Sequence, residues 1–200
     1  MKTNDVIRTY LNQLILNNEI KPIEYKSKEI IFKEGSPCKY VCFILDGEVE
    51  ISTLSYNGSQ EVISLVGKNE FFGQYILFQP NSKYLGDVQA KGPVKLIKIS
   101  KASLLEYLSK DKDLLEAYIS IISNESFNIK QQVKLLSHKN ALDRVIFYLD
   151  LISKNNICII DSVSSLAKEV NLPRETVSRI LSKLEKEKYL IKDKNTIHIL

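Results

Sequence analysis

Two histidines, three cysteines, one methionine and no tryptophan occur in 200 residues, and no run of apolar residues is long. Each scarcity excludes something. Both histidines, His138 and His198, lie in the last third, so the first 137 residues cannot supply the histidines that a cupin-type metal site sets beside a carboxylate. With those two alone, no Ser-His-Asp or Cys-His arrangement for nucleophilic catalysis is credible. The chain reads as a non-enzyme that needs no cofactor and no metal. An odd number of cysteines in a lysine-rich chain fits a reducing cytosol better than a disulfide framework. No apolar run reaches the length of a membrane-spanning helix. The opening MKTNDVIRTY lacks the apolar segment of a secretion signal, so the expected compartment is the cytoplasm.

What is present is a hydrophobic fraction of 44%, enough for real cores, and a net charge of +4 placed unevenly. From residue 130 onward there are 13 basic against 8 acidic residues, a net +5, which leaves −1 for the rest. A polyanionic partner is favoured, and the basic part is the C-terminal part.

That part contains the most informative stretch, Ser162 to Lys188. Val163, Leu166, Ala167 and Val170 share one helical face before Asn171-Leu172-Pro173; Val177, Ile180, Leu181 and Leu184 share one after it. Pro173 suits a first helical turn, where its missing amide has no intrahelical partner. Two short helices around a tight turn predict a helix-turn-helix. Arg174, Glu175, Ser178 and Arg179 occupy the first turns of the second helix, where base reading takes place. Arginine can donate two parallel bonds to guanine, and glutamate accepts from cytosine. The competing reading is an amphipathic hairpin in which Glu175 and Arg179 form an i,i+4 ion pair on a solvated face. Ser164 and Thr176 are candidate phosphate contacts. Tyr189–Ile191 and Thr196–Leu200 flank the polar turn 192–195 and predict a β-hairpin wing, with Lys192 and Lys194 at its tip as further phosphate contacts.

Before this lies a helical pattern over residues 5–17, behind Asn4 as a cap, and then short β-rich runs at 29–32, 41–45, 48–52, 61–66 and 94–99. Turn signals separate them, Asn57-Gly58 being the strongest. The pattern predicts a jelly roll or small barrel. A long helix follows from about Ala102 to Ser137, interrupted around 110–112. In it Leu115, Ile119, Ile122, Ser126, Ile129, Val133 and Leu136 alternate spacings of four and three, the seam of a coiled coil. Leu114, Tyr118, Ile121 and Leu135 form a neighbouring stripe for the barrel. Two stripes predict two partners, the chain's own barrel and a second subunit. A further helix, Leu142 to about Ser153, and a short strand, Ile157–Ile160, precede the helix-turn-helix. The fold class is α+β, in three parts: residues 1–100, 101–139 and 140–200.

The run Arg174-Glu175-Thr176-Val177-Ser178-Arg179, with Ile180-Leu181 and Leu184-Glu185, resembles the recognition helix of the Crp/Fnr family of bacterial transcription regulators. Gly35, the Ile44-Leu45-Asp46-Gly47 turn, Gly58 and Phe71-Phe72-Gly73 stand where that family's cyclic-nucleotide-binding-type barrel has them. The resemblance implies an effector-sensing barrel, a dimerisation helix, a hinge near residues 139–143 and a winged helix reading a palindromic TGTGA-like operator. Arg174 and Arg179 would read guanines and Glu175 a cytosine. Double-stranded DNA, a second copy of the chain and RNA polymerase are the partners it implies.

The effector pocket departs from the pattern. After Gly73 the cyclic-AMP binders of the family carry a glutamate for the ribose, and about ten residues later an Arg-Ser or Arg-Thr pair for the phosphate. Here those positions read Gln74 and Tyr84-Leu85. A buried phosphate without a cation is heavily penalised, so cyclic AMP is not expected to be the ligand; a less anionic molecule, or none, is. Lys83 and Lys91 are the nearby cations. An iron–sulfur sensor needs four thiolates, and this chain has three cysteines, one of them Cys158 in the other domain. The histidines are ill placed for haem. A redox role for Cys38, expected to be exposed after Pro37, with Cys42, expected in the core, is a secondary reading. The alternative overall is a ligand- or redox-responsive sensor whose helix-turn-helix makes protein contacts.

Overall fold

The structure, a computed structural model, describes residues 3–200. It opens with α1 (Thr3–Leu16), whose Ile7, Leu11 and Leu14 are buried at helical spacing. The side chain of the expected cap, Asn4, lies outside the described residues. Eight strands follow: β1 (Ile23–Tyr25), β2 (Ile30–Phe32), β3 (Tyr40–Asp46), β4 (Val49–Leu54), β5 (Gln60–Val66), β6 (Phe71–Phe72), β7 (Asp87–Ala90) and β8 (Val94–Ser100). They form two antiparallel four-stranded sheets, in the orders β1-β8-β3-β6 and β2-β7-β4-β5, which is a jelly roll. Sequence pattern located five of these strands, and not β1, β6 or β7.

α2 (Lys101–Lys110) and α3 (Lys112–Ser137) replace a single long helix. The expected interruption falls at Asp111, whose backbone is extended and whose carboxylate caps α3 by accepting from the Leu114 amide at 2.9 Å. Then come α4 (Ala141–Ile152), β9 (Ile157–Ile159), α5 (Val163–Glu169), α6 (Arg174–Lys186), β10 (Leu190–Asp193) and β11 (Thr196–Ile199). The three strands pair in the order β10-β11-β9.

The chain divides into two compact units, one ending at Asn124 and the other running from Glu125 to Leu200. The first unit's core joins the inward faces of both sheets to Ile7, Leu11, Leu104, Leu108, Leu114 and Ala117. Tyr118 and Ile121 pack against it as expected. Leu135, expected on the same stripe, belongs instead to the core of the second unit, with Val145, Leu149, Cys158, Leu166, Val177 and Leu181. A helix rises about 1.5 Å per residue, so a residue 14 positions past Ile121 stands roughly 21 Å further along the axis and serves a different core.

Candidate DNA interface and effector pocket

Ser162 caps α5 by accepting from the Ser165 amide at 3.0 Å. Asn171 turns the chain with φ of 50°, a left-handed value asparagine tolerates better than most residues. Pro173 stands one place earlier than expected, as the cap residue of α6 rather than inside it. Its extended backbone aims its carbonyl at the amides of Thr176 (3.0 Å) and Val177 (3.1 Å), starting the helical ladder. Burial of Val177, Leu181 and Leu184 fixes the roll of α6 about its axis. That roll places Arg174, Glu175, Ser178 and Arg179 outward, all exposed, and leaves Thr176 half-buried.

The i,i+4 ion pair of the competing reading does not form. Arg179 donates through Nε to the Glu175 main-chain carbonyl at 3.4 Å, and no ion pair links its guanidinium to the Glu175 carboxylate among the described residues. Both charged groups point away from the protein. Ser178 and Arg179 also line a shallow open concavity with Ser182, Lys183 and Lys186. Sequence reasoning passed over those three, although Arg179, Lys183 and Lys186 have the four-then-three spacing of one helical face.

Arg144 holds the helix-turn-helix from behind. Its guanidinium donates to the carbonyls of His138 (3.0 Å), Val170 (3.4 Å) and Asn171 (3.4 Å). These carbonyls lie just past the ends of α3 and α5, where helix dipoles favour a cation.

The wing is shorter at its turn than the sequence suggests. Asp193 pairs with Thr196, so the turn is Lys194-Asn195, with Lys194 at φ 49°. Lys194 is exposed at the tip. Lys192 is not at the tip: it is half-buried in β10, paired with Ile197, its amide bonded to the Glu185 carboxylate at 3.3 Å. Ser164 is exposed on α5.

In the barrel, Gly73 has φ of 84° and starts a tight turn, its carbonyl accepting from Ile76 and Leu77 at 3.1 and 3.0 Å. Gln74 is buried, at 6% exposure. Tyr84 is buried too, but Leu85 is 73% exposed. The reason is local. Tyr84 bonds through its amide to the Ser36 carbonyl (3.0 Å) and through its carbonyl to the Gly35 amide (2.9 Å), so the segment is extended and its side chains alternate in and out. Lys83 falls on the outer side, and Lys91 pairs with Glu48 at the surface, 2.9 Å away. Neither turns inward.

Cys38, expected to be exposed, is 3% exposed; its thiol donates weakly toward the carbonyls of Tyr40 and Gly73. Cys42 is fully buried, and burial pushes its thiol far above the ordinary range. A thiol held protonated is a poor redox sensor.

An eight-stranded jelly roll in one unit and a winged helix-turn-helix in the other define the two-domain architecture of effector-domain transcription regulators. Comparison agrees: residues 22–111 match the cyclic nucleotide-binding domain family. The cAMP-activated global transcriptional regulator CRP of Pasteurella multocida is 22% identical over 81% of this chain and 81% of its own length. The global nitrogen regulator of a Synechocystis species is 24% identical over 92% of this chain and 88% of its own. Among solved structures, CprK complexed with OCPA superposes with a TM-score of 0.66 at 18% identity, covering 94% of this chain and 90% of that one. Residues 22–111 are thus of the cyclic nucleotide-binding type, and the chain as a whole is similar to regulators of the Crp/Fnr type.

Proposed function

We propose that this chain is a homodimeric, sequence-specific DNA-binding regulator that reads a palindromic TGTGA-like operator and does not respond to cyclic AMP. The observation that carries the reading is the outward set on α6. Arg174, Glu175, Ser178 and Arg179 are all exposed, and the charges of Glu175 and Arg179 are not spent on one another. Arg174 and Arg179 read guanines and Glu175 a cytosine; Ser164, Thr176 and Lys194 contact phosphates, with Lys183 and Lys186 extending the basic face. Lys192 contributes charge from β10 rather than from the wing tip.

Residues 101–139 form the dimerisation element. The exposed seam supports this: Leu115 is 36%, Ile119 54%, Ile129 56%, Val133 63% and Leu136 48% exposed, with Phe127 beside them at 58%. Ile122 is half-buried and Ser126 exposed. Two subunits present recognition helices to major-groove faces about 34 Å apart, which is why the operator is an inverted repeat. RNA polymerase is the machinery a promoter-bound dimer acts on. Gln74 and Tyr84 offer no cation to a cyclic phosphate, and Leu85 faces solvent.

Fluorescence anisotropy of a labelled duplex with inverted TGTGA half-sites, against a scrambled duplex at about 150 mM salt, tests this directly. Selective binding without nucleotide is expected. Arg174→Ala should weaken the cognate duplex by roughly 1–3 kcal/mol and relax one base position. A variant that binds both duplexes as the wild type does would remove base reading by Arg174.

A further inference from the structure

A tyrosine is packed against aromatic rings inside the jelly roll. Tyr84 is 3% exposed. Its ring lies nearly parallel to that of Phe32 on β2, centroids 4.4 Å and planes 14° apart. Phe32 in turn meets Phe72 on β6 edge-on at 6.2 Å. β2 and β6 belong to different sheets, so the three rings bridge the jelly roll from inside. Burial, then the neighbouring Cys42 and Cys38 thiols, push the Tyr84 hydroxyl far above the ordinary tyrosine range. That hydroxyl makes no hydrogen bond to an oxygen or nitrogen among the described residues and has only the Cys38 thiol beside it. A buried tyrosine retained for its hydroxyl has that group satisfied; here the ring is what the site uses.

The ring is also tied in place. Besides the two main-chain bonds between Tyr84 and the turn at 35–36, the Cys38 amide donates to the Ser82 carbonyl at 2.8 Å. Withdrawing Tyr84 breaks this clip and bares the aromatic faces it covers. A tethered group acts at an effective concentration of the order of millimolar or more, and a diffusible molecule has to displace it before entering. A ligand shifts a protein only through differential affinity for two arrangements, and a filled barrel offers one.

We propose that Tyr84 is a built-in aromatic occupant of the barrel's ligand space, so that the chain carries its own ring where relatives admit a diffusible effector. The barrel is held in one state, and DNA binding proceeds without a small co-ligand. The first statement stands on packing alone; the second rests also on the DNA-binding reading above.

Tyr84→Ala removes the ring and leaves Cβ, so phenol is the missing piece. The full-length variant should melt roughly 10 °C below the wild type. Millimolar phenol should raise its melting temperature by several degrees and leave the wild type unmoved. Benzene should serve nearly as well as phenol, because the hydroxyl has only a weakly bonding thiol, that of Cys38, to lose. Tyr84→Phe should melt at or above the wild-type temperature. Cyclic AMP should move none of them. If the alanine variant does not fold, Tyr84→Leu, which fills only part of the space, should melt below the wild type and recover with benzene.

The proposal is overturned if cyclic AMP or phenol stabilises the wild type, if Tyr84→Phe falls as far as Tyr84→Ala, or if Tyr84→Leu melts like the wild type and ignores benzene. The operator assay, run on the same wild-type sample without nucleotide, separates the two readings. Failure to bind DNA with the melting pattern intact counts against the regulator reading and leaves the occupied barrel standing.

Discussion

Gly73 shows how much of the barrel depends on single atoms. With φ of 84° it sits where a side chain is strained, and a Cβ there would stand 2.7 Å from the Tyr40 carbonyl and 3.5 Å from the Cys38 thiol. Neither neighbour can retreat easily, since one is backbone of β3 and the other is buried. Gly73→Ala should therefore cost more than about 1 kcal/mol, with urea denaturation showing a lower midpoint at unchanged slope. An unchanged midpoint would mean that the turn relaxes freely. The position is legible in sequence as a glycine after two phenylalanines, but the reason for it is not, because Tyr40 lies 33 positions away. Leu85 and Lys192 teach the same lesson. Leu85 was placed by its distance from a motif and Lys192 by a polar run, and each lies elsewhere because of backbone pairing, Tyr84 with the turn at 35–36 and Asp193 with Thr196.

Among elements, α3 carries the heaviest duty. One stripe, with Leu114, Ala117, Tyr118 and Ile121, is committed to the barrel core, and Leu135 to the second core. The heptad seam keeps its apolar side chains in water, which a lone helix has no reason to do. If the seam joins two subunits as proposed, Ile119→Glu combined with Ile129→Glu should sediment as a monomer in analytical ultracentrifugation with its far-ultraviolet dichroism intact. Operator affinity should fall with it, because half-site binding forfeits the second recognition helix. A double variant that sediments as a dimer would place the interface elsewhere. The seam was readable from spacing alone, and so was the pair of short helices α5 and α6, since both patterns are local. The strands β1, β6 and β7 were not.

At the scale of the whole molecule, buried tyrosines set an alkaline limit. Burial pushes Tyr118 up to about 12, and its hydroxyl has no partner among the described residues. Burial also raises Tyr84. Each raised group binds its proton more tightly folded than unfolded. Stability from this source is therefore complete below the unfolded value near 10 and is lost as pH climbs from there toward 12. Thermal melts between pH 8 and 11 should show a steepening loss above pH 10, and Tyr118→Phe should flatten it without destabilising the protein at neutral pH. A variant with the wild-type slope would assign the loss to other groups.

The sequence by itself determined the order of parts, the α+β class, the helix-turn-helix and the outward set Arg174, Glu175, Ser178 and Arg179. Those features follow from periodicity, and periodicity is a property of neighbours along the chain. It also put Gln74 and Tyr84-Leu85 where the cyclic-AMP binders that the chain resembles carry a glutamate and an arginine pair. Only the tertiary structure decided that Tyr84 turns inward and Leu85 outward, that Cys38 is buried, that Arg144 ties three distant carbonyls together, and that Leu135 serves the second core. The first two are set by backbone pairing between residues 35–38 and 82–84, and the last two by side chains that meet other elements of the second unit, none of which a local pattern encodes.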